Sequence, residues 1–125
     1  MTTTEVANRL VELCRDSKWE QCIQELYSPE ILSIEPEGST LGTVQGLEAI
    51  AQKAKQWEGM IEEFHSGEIS DPIVAENFFS ITMKSKVTMK GMNEPMDMDE
   101  VCVYRVANGK VVTEQFFYTP LPVPA

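Results

Sequence analysis

The chain has 125 residues with 42% hydrophobic and 24% charged side chains, and its 10 Lys plus Arg against 20 Asp plus Glu give a formal net charge of −10 at pH 7. That length supports one domain that buries about two-thirds of its open-chain surface in a single core. The sign of the charge excludes docking on phosphates or anionic headgroups, so neither nucleic acid nor a membrane is an expected partner.

At the N-terminus, Met1 to Glu5 lacks the basic and apolar stretches of a secretory leader, which points to a cytoplasmic protein. Thr2 and Glu5 have capping-box spacing, and Val6, Leu10, Leu13 and Cys14 follow at helical intervals. The pattern predicts a first helix running to about Asp16. Ser17 and Glu20 repeat the spacing ahead of a stripe of Trp19, Cys22, Ile23, Leu26 and Tyr27. Ser28-Pro29 stops this second helix, because the residue before proline disfavours helical backbone. Glu30 to Pro36 reads as one strand whose alternation sets Ile31, Ser33 and Glu35 on one face. Gly46 opens a third helix with Leu47, Ile50, Ala54, Trp57 and Ile61 on its apolar stripe, Lys53, Lys55 and Glu58 on its other faces, and Gly59-Met60 at its end.

Beyond about Glu62 the chain reads as strands. Phe64 to Val74 is one segment, and after a turn at Ala75-Glu76-Asn77 the clearest alternation follows, with Phe79, Ile81, Met83, Ser85, Val87 and Met89 on one face. Gly91 to Pro95 turns the chain, Met98 to Val106 returns, and Asn108-Gly109 signals a hairpin before Val111 to Tyr118. A Pro-rich tail over 119–125 cannot join a ladder internally. The order is helix, helix, strand, helix and four strands: an α+β layout with a curved, mostly antiparallel sheet able to enclose a pocket.

Cys14, Cys22 and Cys102 are odd in number and lack CxxC spacing, so buried free thiols are expected. His65 is the single histidine, which excludes a multi-His metal centre. The methionines between Met83 and Met98 read as packing or a pliable wall, and Asp97-Met98-Asp99-Glu100 as a charged strand start without the spacing of a calcium loop. No metal or cofactor is expected.

Several segments carry a resemblance: Leu26-Tyr27-Ser28-Pro29-Glu30, Ser33-Ile34-Glu35-Pro36-Glu37-Gly38-Ser39, Gly46-Leu47-Glu48-Ala49-Ile50, Val103-Tyr104-Arg105-Val106 and Gly109-Lys110-Val111-Val112. Their order and spacing over nearly the whole chain resemble the SnoaL-like polyketide cyclase and ketosteroid isomerase branch of the nuclear transport factor 2-like superfamily. The resemblance implies a single domain over 1–125, a cone of curved sheet closed by helices in the order ααβαββββ, a mainly apolar pocket and a homodimer formed through the sheet. Phe116-Phe117-Tyr118, with aromatics on both faces of one strand, independently calls for a covered outer face.

Glu35 stands where, by resemblance, the isomerases carry their carboxylate base, with Glu replacing Asp. The chemistry holds without the family: a carboxylate at a strand end facing an apolar pocket loses hydration and becomes a better base near neutral pH. The alternative is a solvated glutamate beside Glu37. Glu114 shares a strand face with Val112, Phe116 and Tyr118 and is either a second pocket carboxylate or an edge residue in solvent. Phe116 occupies the place of the cyclases' catalytic Asp. Val11 aligns with the isomerases' oxyanion tyrosine, and their late-strand acid falls near Val101 or Cys102, so an oxyanion donor would have to come from Tyr104, Tyr118 or Tyr27. His65 is either a proton shuttle or a surface residue. The expected catalytic set is therefore Glu35, Glu114, His65 and Tyr104, with Ser33, Trp57, Phe79, Met83, Cys102, Phe116 and Tyr118 lining the ligand site.

The function these residues favour is binding of a small apolar or weakly polar molecule, with proton transfer of an isomerase, cyclase or dehydratase kind. A non-catalytic carrier or sensor, and a protein-association module, are the competing classes.

Overall fold

The computed structural model describes residues 1–120; within the Pro-rich tail, positions 121–125 lie outside the described residues. Helix α1, Thr3–Arg15, opens with the expected capping box: Thr2 Oγ1 accepts from the Glu5 amide at 3.1 Å, and the Glu5 carboxylate accepts from the Thr2 amide at 2.9 Å. A second capping box does not form. Ser17 has φ 57 and closes α1, with its amide on the Cys14 carbonyl and the Lys18 amide on that of Leu13. A residue used as a left-handed C-cap cannot also adopt the extended backbone of an N-cap. Helix α2, Trp19–Leu26, therefore starts without a side-chain cap.

Strand β1, Tyr27–Ile34, begins before the position the sequence suggests, because Tyr27 leaves the helix with extended backbone. Pro29 is accommodated where the β1 ladder shifts register. After a loop come β2, Val44–Gln45, and α3, Leu47–Met60, entered through Gly46 at φ 95. The segment expected as one strand over Phe64 to Val74 is two, β3, Ile61–Ile69, and β4, Ile73–Ala75, both paired to β5 and separated by Ser70-Asp71-Pro72. In β3 the Phe64 ring lies over Gly67, where a Cβ would come within 2.7 Å of it. Strands β5, Phe78–Met89, β6, Met96–Ala107, and β7, Lys110–Phe117, complete the sheet. Asn108 and Gly109 both have positive φ, 52 and 74, as a two-residue hairpin turn requires.

The sheet order is β2-β1-β7-β6-β5-β3, with β1 parallel to β7 and the other pairs antiparallel. The strand not anticipated, β2, is two residues long, and β4, expected as the end of the longer segment, is three, both too short to carry an alternation of their own. α1 and α2 bury Val6, Leu10, Leu13, Cys14, Cys22 and Leu26 against Ile31, Phe79, Ile81, Tyr104, Val106 and Val111. Removing this apolar surface from water is the main stabilising term. Tyr104 stacks on Phe79 at 4.7 Å between ring centroids. All three cysteines are free and buried. Among the described residues no helix is long and apolar enough to cross a membrane.

Candidate functional site

Strand alternation delivers β1, β6 and β7 side chains to the concave face, and α3 packs against β1, β2 and β3. On β1, Ile31 and Ser33 are buried and Glu35 follows at the strand end, as the alternation requires. On β7 a register shift opposite Arg105 and Val106 turns Val111 inward in place of Val112, after which Glu114 and Phe116 resume the inner face. Parity on β6 sends Glu100 inward with Cys102, Tyr104 and Val106, while Asp97 and Asp99 face Lys86 and Lys84 across the outer side.

Glu35 is 6% exposed at its side chain and is not solvated. Its Oε1 lies 2.8 Å from Lys53 Nζ, and its Oε2 accepts from the Tyr118 hydroxyl at 2.9 Å. The tyrosine's single proton is thereby committed, so Ser39, 2.6 Å away, donates to Tyr118, and the Leu41 amide donates to Ser39. Lys53 also donates to Ser33 Oγ at 2.8 Å and sits 5.1 Å from the centre of the Phe116 ring. A chain of charge-assisted bonds thus runs from the loop after β1 through the ion pair to the floor of the sheet.

Two further carboxyls complete the cluster. Glu114, 4% exposed, accepts from the Tyr27 hydroxyl at 2.9 and 3.2 Å, and burial pushes its carboxyl up to about 7 against the opposing effect of Tyr27. Glu100 lies across the ladder from Met83 and receives one long contact, from the Cys102 thiol at 3.7 Å. Burial first, and then the charge of Glu35, raise it to about 7. Burial also lifts Tyr118 to about 12 and the Cys102 thiol far above its usual range. Such a set can hold a proton near neutral pH, present donors and acceptors to a ligand, and move a proton between them. Among the described residues no group of three or more His, Cys, Asp or Glu side chains is arranged to hold a metal ion.

The SnoaL-like domain model matches residues 1–118. The chain belongs to the SnoaL-like domain family. No curated protein matches it. Among solved structures it is similar to a Mesorhizobium loti protein that carries the provisional description SnoaL-like polyketide cyclase, at 32% identity and TM-score 0.88, over 94% of this chain and 100% of that one. It shares the fold of a Burkholderia pseudomallei NTF2-like protein of unknown function, at 18% identity and TM-score 0.78 over 95% and 92% of the two chains. A Catenulispora acidiphila protein with a ketosteroid isomerase-like fold, solved in complex with trimethylamine, matches at 20% identity and TM-score 0.65 over 78% and 73%.

Within this SnoaL-like cone the expected residues divide. Glu35, Ser33, Phe116 and Tyr118 join one network, with Glu114 and Cys102 behind it. Trp57, one helical turn beyond Lys53, and Met83 are half-buried beside that face. Phe79 and Tyr104 pack in the core. His65 is not brought to the cluster: its Nε2 bonds Thr88 Oγ1 at 2.7 Å on the outer side, 3.7 Å from Glu63.

Lys53, Glu100 and Ser39 are the members that the sequence pattern does not single out, while Tyr27, expected only as an alternative oxyanion donor, instead donates to Glu114. For two the signal was present: Lys53 lies three residues after Ile50 and four before Trp57, inside the apolar stripe, and Glu100 shares the parity of Cys102 and Tyr104. Charge alone assigns both to solvent, the usual place for Lys and Glu.

Proposed function

We propose that this SnoaL-like protein binds a small apolar or weakly polar molecule on the concave face against the Glu35, Lys53 and Glu100 cluster, and that a carboxylate of the cluster moves a proton on it, in the manner of an isomerase, cyclase or dehydratase. The observation that supports this reading is the buried Glu35–Lys53 pair, with both partners' side chains nearly sealed from water. Buried ion pairs bring little net stability, so a cluster of this kind suits a functional site better than a structural one. Half-buried Trp57, Met83 and Phe116 would supply the apolar contacts. Glu35 and Glu114 remain in the proposed site; Tyr104 supports it from the core, and His65, on the outer side, takes no part. Phe116, standing where the cyclases carry Asp, favours isomerase or dehydratase chemistry over cyclisation. The ligand named for the Catenulispora protein is a small amine, which fits the scale of molecule proposed here.

The probe for this reading is nitrobenzisoxazole, a flat, weakly polar carbon acid, titrated into a Trp19→Phe variant in which Trp57 alone reports. Saturable quenching of Trp57 is the expected result. Quenching no greater than that of free tryptophan would overturn the binding reading and favour an association module. Saturable binding without any proton transfer would favour the carrier or sensor class.

The outer face of the sheet supports a homodimer as part of the proposal: Phe78, Val101 and Phe117 are large apolar side chains left 45%, 43% and 49% exposed, with Val101 directly opposite Phe117. Light scattering at micromolar concentration should give the mass of two chains, and a one-chain mass would refute it.

A further inference from the structure

We propose that Glu100, rather than Glu35, is the carboxylate that takes up and returns the proton. This inference rests on the binding reading above and assigns its chemical step to one side chain.

The three concave-face carboxyls differ in what already holds them. Glu35 has both oxygens engaged, Oε1 by Lys53 and Oε2 by Tyr118. To act as a base it would have to break a charge-assisted bond first, and its charge is already spent in keeping Lys53 in place. Glu114 presents both oxygens to the Tyr27 hydroxyl and is 4% exposed, with Ser33 and Tyr104 beside it on the neighbouring strands. A ligand cannot reach it without displacing the core. Glu100 has one weak partner among the described residues, the Cys102 thiol at 3.7 Å on Oε1, and it is only partly buried. Its second oxygen is the acceptor the cluster leaves uncommitted.

The surroundings suit the role. Burial and then Glu35 from the end of β1 oppose ionisation of Glu100, while the Cys102 thiol on its own strand and Lys53 from α3 favour it; Glu114 from β7, itself raised by Glu100, and the neutral Tyr118 hydroxyl complete the titratable surroundings, and β5 contributes the apolar Met83 across the ladder. Glu100 therefore exchanges its proton near neutrality, the condition for an efficient general base. Lys53 and Glu35 are positioning residues in this scheme: their pairing fixes the charge next to the base.

Nitrobenzisoxazole tests the assignment with a balanced step. The Glu100 carboxylate takes the ring C–H proton, the C–H electron pair becomes the new C–N π bond, and the N–O bond breaks with its pair remaining on oxygen as a coloured nitrophenolate. Glu100 then releases the proton to solvent. The wild-type rate should rise with pH through a midpoint near 7. Glu100→Gln should lower kcat about a hundredfold while Trp57 quenching still saturates, and Glu100→Asp should restore part of the rate. His65→Gln, on the outer side of the sheet away from the cluster, should change kcat by less than about threefold. Undiminished turnover by a folded Glu100→Gln variant, or wild-type binding with no turnover, overturns the role of Glu100 and leaves the binding reading intact. Absence of saturable quenching in the wild type overturns the binding reading itself.

Discussion

Where α1 and α2 lie on the sheet, the interior is built from Val6, Leu10, Leu13, Leu26, Ile31, Phe79, Ile81 and Val111; beyond it the same concave face carries Ser33, Glu35, Glu100 and Glu114, with Lys53 reaching in from α3. The first region is held by loss of apolar surface, which depends little on pH. The second is held by hydrogen bonds and one ion pair among groups that each cost free energy to desolvate. One sheet thus supports a region selected for packing and another whose composition makes sense only if something besides stability is gained from it.

Removing one half of the ion pair is the strongest way to break this contrast. Lys53→Met should destabilise by about 3 kcal/mol, because Glu35 is left charged and buried. Adding Glu35→Gln should recover most of that loss, and urea denaturation of the two single variants and the double variant measures the coupling. A loss in the double variant equal to the sum of the two single losses would mean that the pair is not coupled.

A smaller effect, and one confined to a pH window, is expected at Glu114. Its carboxyl ionises near the ordinary 4.5 in the unfolded chain and near 7 in the fold. The folded state therefore holds the extra proton, and the stabilisation this provides is complete below about 4.5 and lost as pH rises through about 7. Glu114→Gln keeps an acceptor for Tyr27 and removes the charge, so it should leave stability near pH 4 unchanged and raise it by roughly 2 to 3 kcal/mol at pH 8. Thermal melts across that range check the slope. A variant that parallels the wild type at every pH would show that Glu114 is hydrated in the fold.

The apolar region was largely legible in the sequence, because Val6, Leu10 and Leu13 in α1 and Phe79, Ile81 and Val87 in β5 follow the periods of helix and strand without interruption. The turn at Asn108-Gly109 was equally plain, since few residue pairs accept two positive φ angles. Ser17 is ambiguous in sequence because a C-cap and an N-cap can use the same small polar residue, and only its left-handed backbone tells them apart. The site was half legible. Glu35 and Glu114 stood out as polar residues on apolar faces, whereas Lys53 and Glu100 sat on those same faces and were read as solvent-facing from their charge. Their burial depends on partners contributed by other elements, and no local pattern encodes such a partnership. Tyr118 reaches Glu35 across 83 positions of sequence, a pairing that exists only once β1 and β7 lie side by side.

The most direct test of the account is a carbon-13 NMR titration of glutamate side-chain carboxyls in the whole protein, with and without nitrobenzisoxazole. Two carboxyls should titrate with midpoints near 7, one of which disappears in Glu100→Gln and, in the wild type, shifts when the probe is added. A Glu100 signal titrating at the ordinary glutamate value of 4.5 and indifferent to the probe would contradict it.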